Sequence, residues 1–380
     1  MLHKPVKSIL LISGFAESLV NFRGALILAL QANGWKVHVV APALNSFNKI
    51  RSELEANGVE VHSFNMRRAA INPLADIRTI IELLRLLLRL RPDAVLGYTI
   101  KPVIYGLLAA WLAGVPRRFA LITGLGYAFT GQEGQFFRRF VQVIARRLYG
   151  LSLRCAAKVF FQNPDDESLF RELGILPSNV PSVVVNGSGV DVARFSYAPL
   201  QTNQFKFLLI ARLLGDKGVR EYFQAARRVK LKHPDVKFVL VGSIDENPDS
   251  ISQGELDTWV NSGIIDYLGR LSDVRPAIVG CSVYVLPSYR EGTPRTVLEA
   301  MATGRAIITT NAPGCRETVV DGVNGFLIPV KSVDSLEVAM LKFIDTPSLA
   351  VKMGLASREI AEIKYDVNKV NSVMLREMVF

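Results

Sequence analysis

A chain of 380 residues is too long for a single hydrophobic core, so two domains are expected. Hydrophobic residues make up 49% of it, enough to fill both cores, which excludes a disordered or fibrous chain. The formal net charge of +11 is lopsided: residues 1–190 carry 22 basic and 12 acidic side chains, against 23 and 22 in the remainder.

The first half alternates strand and helix. Residues 7–14 form an apolar run ending in Gly14, which leads through a short loop into a helix over about 21–33 that carries Arg23. Further strands are predicted at 36–42, 59–65, 94–98, 118–124 and 158–163. Helices are expected near 46–56, 73–91, 102–113, 135–153 and 164–173. Repeated βα units imply a parallel sheet covered on both faces, with right-handed crossovers. Lys101 stands at a strand end just before Pro102 opens a helix, and Thr123 and Gly124 stand at another, followed by Gly126. Both positions lie on the rim where doubly wound sheets bind ligands.

A glycine-rich turn, Asn186-Gly187-Ser188-Gly189, marks the domain boundary, and residues 199–203 read as a polar spacer. A strand over 205–212 then leads through LLGDKG into a helix from 219. Arg212 and Lys217 lie five apart around that turn, so a planar guanidinium and a point-charge ammonium can converge on one diphosphate. Further strands are predicted at 236–242 and 265–269. The most informative stretch is residues 283–310, VYVLPSYREGTPRTVLEAMATGRAIITT, which reads as strand, loop, helix, strand. Thr293 and Pro294 are expected at the N-cap and first helical positions, and Gly304 at the helix end. The helix tip offers unpaired N–H groups to phosphate oxygens, while Glu291 and Glu299 frame it with carboxylates able to hold sugar and ribose hydroxyls.

These residues carry a resemblance. Glu291, Gly292, Pro294 and Glu299 match the E-G-x-P-x4-E element of the retaining GT-B glycosyltransferases, and Arg212 with Lys217 is similar to that family's R-x4-K pair. Gly189 to Phe195 resembles its interdomain linker. The stretches around Thr99–Lys101 and Thr123–Gly126, and Asp245-Glu246-Asn247-Pro248, resemble the capsular CapM-like subgroup, which acts on polyprenyl-diphosphate sugars. One departure is that many relatives carry a histidine where Thr99 and Lys101 stand.

The resemblance implies an α/β chain of GT-B fold, with two doubly wound Rossmann-like domains facing an interdomain cleft. Residues 1–190 would bind the acceptor, 191–363 the nucleotide sugar, and 364–380 would cross back to the first domain. It further implies a retaining, metal-independent transfer of a sugar, expected to be an N-acetylated hexose, from a UDP-sugar to a membrane polyprenyl-diphosphate saccharide. Arg212 and Lys217 would carry the leaving diphosphate and Glu291 would support the sugar. Gly14, Leu268, Arg270, Gly292, Thr293, Pro294 and Glu299 complete the donor set; Arg23, Lys101, Thr123 and Gly124 would meet the acceptor. Two alternatives stay open: a non-hydrolysing UDP-sugar epimerase, disfavoured by the few histidines near the loops, and a nucleotide-sugar-binding protein without catalysis.

The remaining features set partners and place. Arg67, Arg68, Arg85, Arg89, Arg91, Arg117, Arg118, Arg138, Arg139, Arg146 and Arg147 recur beside Leu, Phe and Trp, which suits an anionic membrane surface. Nucleic acid is not expected as a partner, since no RRM, KH or zinc-finger pattern occurs. The three cysteines, Cys155, Cys281 and Cys315, show no pairing pattern, and His3, His38, His62 and His233 cluster with none of them, so neither a metal nor a cofactor is expected. The chain enters its first strand with no signal-peptide pattern, and no apolar run reaches the ~20 residues of a spanning helix. The expectation is a cytoplasmic protein peripherally attached to the inner face of the membrane.

Overall fold

The structure is a computed structural model describing residues 7–66, 73–124, 136–201, 204–245, 247 and 249–378; for 73 and 136–142 it describes the backbone alone. Gly126, Arg67, Arg68, Glu246 and Pro248 lie outside the described residues, as do the side chains of Arg138 and Arg139. The chain divides into two compact units, Met1–Ser188 with Val370–Phe380, and Gly189–Lys369.

Among the described residues, the first unit is built on seven parallel strands: β1 (Ser8–Ile12), β2 (Lys36–Pro42), β3 (Glu60–Phe64), β4 (Ala94–Tyr98), β5 (Arg117–Ile122), β6 (Lys158–Phe161) and β7 (Ser182–Val184). Their order across the sheet is β3-β2-β1-β4-β5-β6-β7. The strands are apolar on both sides because helices cover both faces. In β1, Leu10 and Ile12 enter one core with Val40, Leu83 and Phe161. Ile9 and Leu11 enter the other with Leu26, Val39, Met374 and Met378.

The second unit repeats the plan with six parallel strands: β8 (Lys206–Ile210), β9 (Lys237–Val241), β10 (Asp266–Tyr267), β11 (Val283–Leu286), β12 (Ala306–Thr310) and β13 (Gly325–Ile328), ordered β10-β9-β8-β11-β12-β13. Val283 and Val285 face one core, Tyr284 and Leu286 the other. Arg305, fully buried, donates to the carbonyls of Ile278, Ala198 and Val279 at 2.8–3.0 Å, so its charge is held by backbone dipoles. The α/β fold expected from the alternating pattern is the fold observed.

Two helices differ from expectation. The one expected over 21–33 begins only at Gly24, as Gly24–Ala32, and is preceded across a break by a separate short helix, Glu17–Asn21, that reaches back into the expected loop. At the break Arg23 turns inward, 3% exposed, with its guanidinium 5.2 Å from the Tyr98 ring. The helix after Pro294 begins one residue late, at Arg295, because Pro294 itself has extended geometry (φ −73°, ψ 108°) and precedes the helix. Thr293 is therefore not its N-cap.

Candidate functional site

The second sheet reverses its strand order between β8 and β11, the topological switch point where parallel α/β sheets hold ligands beyond the strand ends. Two loops leave those strands. The β8 loop runs through Arg212 into a tight turn, Gly215–Lys217, and then the helix Val219–Lys232. The β11 loop runs from Pro287 to Pro294 and into the helix Arg295–Ala302.

Hydrogen bonds tie these loops together. Tyr289 N–H donates to the Asp216 carbonyl at 2.8 Å, and the Ser288 hydroxyl reaches the same carbonyl at 3.1 Å. Gly218 makes the approach possible: its φ is +69°, and a Cβ there would stand 2.2 Å from the Pro287 carbonyl oxygen. The join brings two charged side chains together. Lys217 Nζ donates to Glu291 Oε1 at 2.6 Å, and the buried Ser288 hydroxyl lies 2.8 Å from the same oxygen. Glu291 N–H is fixed in turn by the Pro313 carbonyl at 3.0 Å.

The electrostatics follow from this closeness. Burial opposes the Lys217 charge, but Glu291 and Asp216 outweigh it and hold the ammonium above the ordinary lysine range. Asp216 is pushed up, chiefly by burial, with Lys217 acting against that shift. Glu299, 7% exposed inside its helix, accepts from Arg295 Nε at 2.9 Å; burial raises its carboxyl pKa despite that partner.

Arg212 is held differently. Half exposed, it donates to Asp245 Oδ2 at 2.9 Å, so in this structure the two cations of the β8 loop rest on different carboxylates. The same segment supplies Asp249, whose carboxylate accepts from Asp216 N–H at 2.9 Å and whose carbonyl accepts from Gly215 N–H at 2.8 Å. The sequence offered no role for this stretch; its described residues buttress the turn that presents Lys217. Beyond β10, Leu268 is exposed, and Gly269 accepts from Gly242 N–H at 2.9 Å, which ties Leu268–Arg270 to the end of β9.

In the first unit the switch point lies between β1 and β4. Gly14 follows β1 and Thr99 follows β4, and a Cβ on Gly14 would meet Thr99 Oγ1 at 2.6 Å. Thr99 is itself strained, with φ +68°. Beneath them Ser18 Oγ bridges Ser13 Oγ at 2.7 Å and Tyr98 Oη at 2.9 Å, a buried hydroxyl chain that sequence reasoning missed. Lys101 is paired with Asp76 at 3.0 Å, both largely buried. Thr123 and Gly124 follow β5, two strands from β1. Among the described residues no helix is long and apolar enough to cross a membrane.

Comparison with known proteins agrees with this architecture. Residues 195–360 match the model of the group 1 glycosyl transferases, and residues 21–187 match a glycosyl transferase 4-like domain. The chain is 30% identical over 370 residues, 94% of each chain, to an N,N'-diacetylbacillosaminyl-diphospho-undecaprenol alpha-1,3-N-acetylgalactosaminyltransferase of Campylobacter jejuni. It is 29% identical, over 74% of each chain, to a UDP-Gal:alpha-D-GlcNAc-diphosphoundecaprenol alpha-1,3-galactosyltransferase of Escherichia coli. Among solved structures, sucrose-phosphate synthase from Thermosynechococcus elongatus superposes with a TM-score of 0.79 at 16% identity, covering 98% of each chain. With both halves matched and its length spanned, the chain belongs to the group 1 glycosyltransferases and is an enzyme of the GT-B fold.

Proposed function

We propose that this enzyme transfers a hexose, expected to be N-acetylated, from a UDP-sugar to a polyprenyl-diphosphate-linked saccharide, with retention of anomeric configuration. The observation that carries this reading is the Lys217–Glu291 pair at the switch point of the second sheet. A donor diphosphate laid over the tip of the helix Arg295–Ala302 would draw Lys217 away from Glu291 and Arg212 away from Asp245, freeing both cations for phosphate oxygens. Glu291 would then face the sugar and support positive charge at its ring, while buried Glu299 would accept from the ribose hydroxyls. Leu268–Arg270 would hold the base. The acceptor hydroxyl attacks the anomeric carbon from the leaving-group face as the carbon–oxygen bond to the diphosphate breaks, and its proton passes to the departing diphosphate oxygen. Charge on that leaving group is carried by Lys217, Arg212 and backbone N–H groups, so the chemistry calls for no metal ion.

The relatives support the donor and acceptor classes, since the activities they are named for involve undecaprenyl-diphosphate sugars and, in one, UDP-galactose. On the acceptor side, Lys101, Thr123 and Gly124 would line the entry, with Lys101 exchanging Asp76 for a phosphate, and Arg23 would join them by swinging out from the Tyr98 ring. A membrane-bound acceptor asks for a surface that docks on lipid. The helix Pro73–Leu90 offers one: Leu74, Ile77, Ile81 and Leu88 are exposed beside Arg78, Arg85 and Arg89, and Trp111 and Leu112 are exposed in the unit as well.

The test is a screen of UDP-sugars against short polyprenyl-diphosphate saccharides, read by mass spectrometry, with the new linkage assigned by NMR. A lengthened saccharide with the donor's anomeric configuration supports the proposal. An epimer formed from the UDP-sugar alone, or saturable UDP binding with no product from any acceptor, overturns it.

A further inference from the structure

The parallel register of β2 and β3 pairs His38 with Glu60 and Val40 with His62, placing His38, Glu60 and His62 on one face at the edge of the first sheet. Their polar atoms converge. His38 Nδ1 stands 3.2 Å from His62 Nε2 and 3.2 Å from Glu60 Oε2, and one ligand atom from each of the three lies within 4.8 Å of the others. A single Nδ1 proton can satisfy one of those two acceptors and not both. A cation between the three satisfies all of them. Zinc–ligand bonds of about 2.0–2.1 Å in a tetrahedron set neighbouring ligand atoms about 3.3 Å apart, which is the spacing found at His38. His38 is 4% exposed and fixed in its strand, whereas Glu60 opens to solvent, leaving an entry path and room for water as fourth ligand. The other carboxylate oxygen, Oε1, is held by Lys36 Nζ at 2.5 Å, which orients Glu60 as outer partners of metal ligands do.

We infer that His38, Glu60 and His62 form a binding site for one zinc ion, which clips the edge strand β3 to β2. Two imidazoles and a carboxylate suit a transition-metal dication such as zinc, whereas magnesium or calcium would require a shell of oxygens. The Lys36 charge nearby keeps affinity below that of closed structural sites. The site owes nothing to the transfer chemistry and stands or falls apart from it.

The test uses the full chain without a polyhistidine tag, stripped of metal by chelator and dialysed. Titration calorimetry with zinc chloride is expected to give one site of micromolar affinity, and zinc should raise the thermal unfolding midpoint. Cobalt(II) should give the intense visible bands of a tetrahedral site. His62→Gln and Glu60→Gln, both at side chains with solvent access, should each weaken zinc binding about tenfold or more while the metal-free midpoint stays close to that of the parent. Absence of binding and of any thermal shift at about 1 mM zinc overturns the inference, as does zinc binding that survives both substitutions undiminished.

Discussion

Lys217 and Glu291 lie 74 positions apart in the chain, yet their charged ends meet at 2.6 Å where β8 and β11 give way to loops. The pair is largely buried, with side chains 14% and 18% exposed, so each charge depends on the other. Under the proposed function, that dependence would hold the ammonium ready for a diphosphate.

Lys217→Ala and Glu291→Gln should each lower kcat/KM by about 10²–10³-fold, the cost of removing one donor or stabiliser of developing charge. The double variant should lose little more than either single one, because the two act as a unit. Circular dichroism should report a folded chain in all three. Activity in either single variant close to the parent would remove that residue from the site.

Gly218→Ala forces a side chain into left-handed backbone and against the Pro287 carbonyl, at a cost of at least about 1–2 kcal/mol. The loop must retreat, carrying Lys217 from Glu291. The expected result is a lower unfolding midpoint together with a fall in kcat/KM; unchanged kinetics would show that the loop contact does not position Lys217.

Glu299 carries a sign that can be checked by pH. Its folded-state pKa is raised, so the folded chain holds that proton more tightly than the unfolded chain, and ionisation at neutral pH costs stability. Glu299→Gln removes that cost. The variant's midpoint should equal or exceed the parent's at pH 7, and its advantage should shrink as pH falls through the raised pKa. Donor affinity, measured by calorimetry with UDP, should move the other way and weaken.

If the helix Pro73–Leu90 docks on lipid as proposed, Leu74→Glu combined with Ile77→Glu should reduce binding to vesicles containing anionic phosphatidylglycerol by tenfold or more, since each lost apolar insertion is worth about 1.5–3 kcal/mol. Raising salt should weaken parent binding further through Arg78, Arg85 and Arg89. Equal vesicle binding by parent and variant would place the membrane contact elsewhere.

Much of this was legible beforehand. The period of strand and helix reveals both sheets, because parallel strands covered on two faces must be apolar throughout, as β1 and β11 are. The spacing from Glu291 to Glu299 carried the family. What escaped depends on side chains choosing between partners. Arg212 and Lys217 look equivalent in sequence, yet one lies on Asp245 and the other on Glu291. Arg23 is expected in sequence to meet the acceptor from one turn into its helix, and only the break after Asn21 turns it onto Tyr98. His38 and His62 are 24 positions apart with no motif between them; strand register alone makes them neighbours. The helix start missed by one residue because Pro294 fits both the residue before a helix and its first position.

The segment Val370–Phe380 has a consequence for how the protein is made. Met374 and Met378 complete a core that also contains Ile9 and Leu11, and Glu377 closes on Lys158 at 2.8 Å. The first unit therefore cannot complete that core until the segment carrying Met374 and Met378 has been made, well after the rest of the unit. The other unit, contained entirely within Gly189–Lys369, depends on no such distant segment, so the two cores differ in how far along the chain their parts are drawn from.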